Sequence, residues 1–287
     1  MIIATPFSAP VTYHGEGAVW AHSWGGLRCV DMLHGDVLHF DAHGIATRHH
    51  LGTIAAMIRP ATPGVSLVAR ESDVVLWEES SGRLTTVANN LVPDGGRLNE
   101  GTCTPQGELL IGSLAQEFKQ DGGRLMKVSP FGAAVVLPSV TVSNGIGFSP
   151  DGTCAYYVDS PTYRLDVFTV TESGDLIERR PLAEFDPARG APDGLWVDEE
   201  GGIWLAMFGG SRVQRVLADG TLDLHVSVEA RQVTSCTFGG PELSTLYITT
   251  SRENLDDGDD PLAGSVFHAD VGISGLPVLT FTPDAQS

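Results

Sequence analysis

APDGLWVDEEGGIWLAM, Ala191–Met207, is the stretch whose reading decides the fold. Leu195–Val197 is a short apolar run, Asp198–Gly202 a turn of carboxylates and glycine, and Ile203–Met207 a second apolar run. Two β-favouring runs around a glycine-containing loop predict a hairpin. Asp193 stands directly before Gly194 at the start of the first strand, where glycine permits a tight backbone turn.

The unit recurs along the chain. The residue before glycine at the head of a strand is Glu16, Glu100, Asn144 and Asp193, with Met57 and Ser235 as looser equivalents that lack the glycine. Positions 16, 57, 100, 144, 193 and 235 are separated by 41, 43, 44, 49 and 42 residues. Partner strands keep the same beat: LRCVD at 27–31, SLVAR at 66–70, LLIGS at 109–113, YYVDS at 156–160, WLAMF at 204–208 and LYITT at 246–250. Repeats of this length, each of about four strands, predict an all-β, six-bladed β-propeller formed by residues 1–287 as a single domain. A β-sandwich would not require equivalent units, and a helical solenoid would not be built from short β-branched runs. The second unit, Thr53–Val87, is the least regular. Ring closure is expected by pairing of the N-terminal segment with GSVFHAD (264–270) and VLTFT (278–282).

Composition narrows the functional classes. The 287 residues carry 17 Lys+Arg against 36 Asp+Glu, a net charge of −19, which repels nucleic-acid phosphates. The 34 glycines and 17 prolines suit many tight turns. Cys29, Cys103, Cys154 and Cys236 are far apart and read as free, buried thiols. No signal-peptide pattern and no apolar run of membrane-spanning length occurs, so a cytoplasmic protein acting on no membrane is expected. HExxH, GxSxG and phosphate-loop motifs are missing. NLDDGDD at 254–260 lacks the alternating ligands of a calcium loop and reads as a solvated acidic loop.

Equivalent residues in propeller blades lie at equivalent radii. If the strands that follow the glycines are innermost, residues 16, 100, 144 and 193 converge on one mouth of the central channel. Carboxylates brought together repel unless a cation lies between them. Glu16, Asn144 and Asp193 offer oxygen only, which suits calcium, magnesium or manganese. His14, two residues before Glu16, shares its strand face and reads as a packed or rim histidine.

GEGAVW (15–20), RLNEG (97–101), SNGIGFSPDGTCAYYVDS (143–160), APDGLWVDEEGGIWLAMFGGSRVQRV (191–216) and TSCTFGGPELSTLYIT (234–249) together resemble the SMP-30/gluconolactonase/regucalcin family. The resemblance implies a six-bladed propeller with one divalent metal in its channel, calcium first, with magnesium, manganese or zinc as alternatives. It implies hydrolysis of a sugar-derived lactone. By motif, Glu16, Asn144 and Asp193 match the metal ligands, and Asp193 also matches the proposed general base. Arg97 and Asn99 match substrate contacts, and Glu100 stands where the family usually has Asp, so that its longer side chain reaches further into the channel beside the substrate. Thr102 replaces a common Lys, and Glu117 aligns loosely with an acidic residue on the loop over the site. The competing readings are a phosphotriesterase- or arylesterase-like hydrolase on the same scaffold, and a non-catalytic calcium-binding or docking propeller.

Overall fold

The computed structural model describes residues 2–93, 95–256 and 258–283. Asp257 of the acidic loop lies outside them. Six sheets surround one axis, each built on four antiparallel strands that run in chain order from axis to rim except in the closing blade, and blade five carries one strand more. The innermost strands are Gly15–Ala21, Ala55–Pro60, Arg97–Cys103, Ser143–Phe148, Ala191–Val197 and Val233–Gly239, and each touches the next around a closed ring. The predicted all-β, six-bladed propeller is thus the observed fold. The second unit is as regular as the others, with strands Ala55–Pro60, Val65–Arg70, Val74–Glu78 and Arg83–Ala88. Its weak pattern comes from an outer strand, RLTTVA, that is largely exposed.

Closure differs in part from expectation. Thr5–Pro6 pairs antiparallel with Val266–Asp270 and supplies the rim strand of blade six, as expected for GSVFHAD. Ile2–Ile3 adds a fifth, parallel strand to blade five. Residues 278–282 form no strand. They run as a strap across the channel end opposite the heads of the inner strands: Leu276 N donates to Val197 O (3.2 Å), Phe281 N to Pro60 O (2.9 Å) and Thr282 N to Gly107 O (2.8 Å). Closing the ring with one strand per end satisfies the sheet edge, and the strap satisfies backbone groups at the channel floor.

Apolar side chains alternate along the strands and fill the wedges between blades. Leu27, Leu38 and Tyr247 pack between blades six and one; Trp204, Val213, Phe238 and Ile248 between five and six. Among the described residues Cys29, Cys103 and Cys236 are free and buried, and Cys154 is free and half-buried. Trp77 and Trp204 are core residues, whereas Trp196 is half-buried and donates to Leu276 O at 3.1 Å. No helix among these residues is long and apolar enough to cross a membrane.

Every inner strand carries a register shift near its head: between Glu16 and Val19, Ala55 and Met57, Leu98 and Gly101, Ser143 and Ile146, Pro192 and Leu195, and Val233 and Ser235. An extra residue in one strand turns its side chain out of the pleat. Matching the pairings across blades gives the equivalent positions as Glu16, Ala56, Asn99, Asn144, Asp193 and Thr234. The repeat read from sequence placed Met57, Glu100 and Ser235 at this level; each lies one residue further down its strand. The glycines also serve differently than a turn would require. Gly17 has φ +57°, but Gly145 and Gly194 have no positive φ. A Cβ on Gly145 would lie 2.6 Å from Asp193 O, and one on Gly194 2.9 Å from Ser235 Cα, so neighbouring inner strands approach too closely for a side chain.

The turn in the opening stretch is fixed by one buried carboxylate. Asp198 is 0% exposed and accepts from Gly202 N (2.7 Å), Glu200 N (3.0 Å), Trp204 Nε1 (2.8 Å) and Arg215 Nε (2.8 Å). Asp198→Ala leaves the buried Trp204 indole and Arg215 Nε without their acceptor, although the rest of the guanidinium keeps Glu200 and Asp223. We expect it to cost about 3–5 kcal/mol and lower the thermal midpoint by roughly 10 °C; a midpoint within about 2 °C of the parent would contradict this assignment.

Candidate active site

The heads of the inner strands open into a cavity of about 250 Å³ at one end of the channel. Glu16, Asn144 and Asp193 reach it from blades one, four and five, and Arg97 and Asn99 from blade three. Glu16, Asn99, Asn144 and Asp193 are each at most 6% exposed. Residues separated by up to 177 positions in sequence therefore meet, because each sits at or beside the bulge of its blade.

A hydrogen-bonded chain orients the amides. Arg97 Nη1 donates to Asn99 Oδ1; Asn99 Nδ2 donates to Asn144 Oδ1 (2.6 Å) and Ser143 O (2.9 Å). Asn144 Nδ2 donates to Ser160 Oγ (2.7 Å), which donates to Pro192 O (2.6 Å) beside Asp193. The carboxylates are poorly served by comparison. Among the described residues Glu16 accepts only from Gly17 N, at 2.9 Å, and Asp193 Oδ1 and Glu100 Oε2 are buried with no hydrogen-bond partner.

The electrostatics follow from this. Burial, with repulsion from Glu253, pushes the Glu16 carboxyl up to about 7 against the pull of Gly17 N–H and Arg97. Burial and the neighbouring Glu16 push Glu100 up to about 8, although Arg59 opposes them. Burial, then Glu16 and Glu100, hold Asp193 well above the usual carboxylate range. Burial and Arg97 press the His14 imidazole down to about 3, so it is neutral where it accepts or donates to Ser251 Oγ (2.8 Å). Its 3.4 Å approach to Glu253 is therefore not an ion pair at neutral pH.

Two buried carboxylates, one of them with an orphaned oxygen, and an amide oxygen fit a hard divalent cation, which supplies the missing partner and prefers oxygen. Among the described residues no three His, Cys, Asp or Glu side chains close into a metal-holding group by themselves. The donor set depends on the amide of Asn144.

Other positions depart from expectation. Glu100 does not line the mouth; one residue beyond Asn99, it is buried among Glu16, Arg59 and Asp193 below it. Phe118 lines the mouth, whereas its neighbour Glu117 is exposed and does not. His14 does line the mouth. Glu253, Gln232, Ser160 and Phe208 also line it and were not anticipated. Only the shared blade register could have signalled them, through the loops that follow the second strands. A cavity of about 290 Å³ lies at the strap end, with Arg59, Trp196, Phe148 and Leu276 in its wall. It is largely apolar and holds none of the oxygen donors.

Fold and site together define a six-bladed propeller whose channel mouth gathers oxygen donors from several blades. Residues 14–252 match the SMP-30/Gluconolactonase/LRE-like region, and the chain belongs to that family. It is similar to a 6-deoxy-6-sulfogluconolactonase of Pseudomonas putida, 34% identical over 91% of this chain and 92% of the other. It is likewise similar to an L-arabinolactonase of Azospirillum brasilense, 31% identical over 93% and 91%. Among solved structures, a calcium-binding regucalcin of Agrobacterium tumefaciens superposes with a TM-score of 0.90 at 27% identity, covering 96% of this chain and 95% of that one.

Between pH 6.5 and 8 the folded chain holds protons on Glu16 and Glu100 that the unfolded chain has released, and these outweigh the fraction of a proton that His14 binds only in the unfolded chain near pH 6.5. Stability of chelated protein should therefore fall as pH rises through this window. A saturating divalent cation should remove the fall by displacing those protons. A thermal midpoint of chelated protein that is flat or rising from pH 6.5 to 8 would contradict the assignment.

Proposed function

We propose that the chain is a metal-dependent lactonase that opens a sugar-derived lactone by attack of water. The observation that carries this reading is the convergence, in one roughly sugar-sized cavity, of Glu16, Asn144 and the Oδ1 of Asp193, which has no partner among the described residues, beside the hydrogen-bonding groups of Arg97 and Asn99. Relatives whose names specify sugar lactonases support it.

Glu16, Asn144 and Asp193 would hold one divalent ion, with calcium favoured by the all-oxygen set and by the calcium-binding structural relative. When bound, the ion polarises the lactone carbonyl and stabilises the negative charge that develops there. Asp193 accepts a proton from the attacking water through its carboxylate, to whose Oδ1 no protein group among the described residues donates. Water oxygen bonds to the carbonyl carbon, the ring C–O bond breaks, and the proton held on Asp193 passes to the departing ring oxygen, giving the hydroxy acid. Arg97 and Asn99 bind substrate hydroxyls and fix the face that is presented. The Arg97–Asn99–Asn144–Ser160 chain keeps Asn144 Oδ1 from rotating away, so substrate contact and ligand orientation are linked. A calcium store would need no such donors, which favours the enzyme over the non-catalytic reading.

Chelation should abolish lactone hydrolysis and a divalent cation should restore it; full activity in rigorously metal-free protein would sink the mechanism. With the ion site shown to be full, Asp193→Asn should lose about 10²–10⁴-fold in kcat, because the amide still offers oxygen but cannot accept a proton. Asn144→Ala should recover part of its rate as metal is raised. Equal rates for the two variants at saturation would make Asp193 a ligand only.

A further inference from the structure

The charge lining the mouth has a consequence for substrate class. We propose that the site selects neutral sugar lactones over those with a second, anionic substituent, and that Glu253 is the specificity-determining residue. The proposal rests on the lactonase reading above and narrows its substrate.

Glu253 lies just after the second strand of blade six, with its side chain 25% exposed over the cavity. Its backbone is held on both sides: N donates to Ser251 Oγ (3.0 Å) and O accepts from Gln232 Nε2 (3.0 Å). Its carboxylate makes no hydrogen bond among the described residues; its near neighbour, His14 Nδ1 at 3.4 Å, is engaged by Ser251 Oγ at 2.8 Å. A fixed backbone and a free carboxylate present acceptors to whatever enters. Sugar hydroxyls are donors and satisfy them; a sulfonate, phosphate or carboxylate is an acceptor and meets like charge.

The rest of the mouth offers no compensation. Among the described residues that line it, Arg97 is the one lysine or arginine. Its Nη1 is engaged with Asn99, Leu98 O and Met32 Sδ, and its charge faces Glu253, Glu16 and Asp193. With a divalent ion present, that ion, Arg97 and Arg59 offset Glu16, Glu100, Asp193 and Glu253. The site is then near neutrality with no spare cation. An anionic substituent adds one uncompensated charge to a mostly buried site. It should cost about 10- to 100-fold in specificity at effective dielectric values typical of such sites. This separates the chain from the sulfonated substrate that the Pseudomonas relative's name implies, despite 34% identity.

The test compares kcat/KM for glucono-1,4-lactone and for glucaro-1,4-lactone, which carries a terminal carboxylate. The parent protein should prefer the neutral lactone by about tenfold or more. Glu253→Gln should narrow the ratio by about tenfold, and Glu253→Arg should narrow it further or invert it. A purely structural role would lower both rates together and leave the ratio unmoved, which would overturn the assignment, as would a parent protein indifferent to the charge. Calorimetric binding of methyl glucopyranoside and its 6-deoxy-6-sulfo counterpart to calcium-loaded protein provides the readout independent of turnover. If no lactone is hydrolysed but the neutral glycoside binds better and Glu253→Gln removes the difference, the lactonase reading fails while the charge selectivity stands. If lactones are hydrolysed and both glycosides bind alike, the selectivity fails alone.

Discussion

Six inner strands share one narrow axis, and their crowding governs the rest of the molecule. Where Gly145 passes Asp193 O and Gly194 passes Ser235 Cα, there is no room for a β-carbon. Each strand accommodates the ring with an extra residue near its head, and the displaced side chain points to the axis. Packing therefore chooses which residues meet, and chemistry depends on what the sequence puts there. Blade two puts Ala56 at that level and blade six Thr234, so the charged donors come from the other blades.

This convergence sets an electrostatic problem that burial sharpens. Glu16, Glu100 and Asp193 are each nearly inaccessible and compete for the influence of Arg97 and Arg59. Buried like charges favour proton uptake, and a divalent cation is the other way to relieve them. The orphaned oxygens of Asp193 and Glu100 mark where such relief is missing from protein groups alone. Glu100, below the mouth and facing Arg59, is best understood as part of this charge balance. Its absence from the cavity wall argues against the substrate contact expected from its place in RLNEG.

Glu16, Asn144 and Asp193 were legible because a glycine follows each of them, required by close approach at Gly145 and Gly194 and by positive φ at Gly17. The same cue misplaced blade three. In RLNEG the glycine follows Glu100, while the bulge puts Asn99 level with Asn144, where the two amides bond at 2.6 Å. Blades two and six lack the glycine and were likewise read one residue late. Glu253 was not legible, since nothing in SREN (251–254) signals that this segment lies over a mouth built by residues as distant in sequence as Glu16 and Arg97. The strap at 278–282 looked like a strand by its β-branched composition, yet its hydrogen bonds go to the ends of several different blades.

The central claim is that the channel mouth is a single divalent-cation site made by Glu16, Asn144 and Asp193. Crystals soaked in manganese and measured for anomalous scattering test it most directly. The account predicts one strong peak within about 2.0–2.6 Å of oxygens from all three side chains, and its loss in crystals of Asp193→Ala. A peak confined to the acidic loop around Asp256–Asp260, or none at the mouth at saturating manganese, would contradict it.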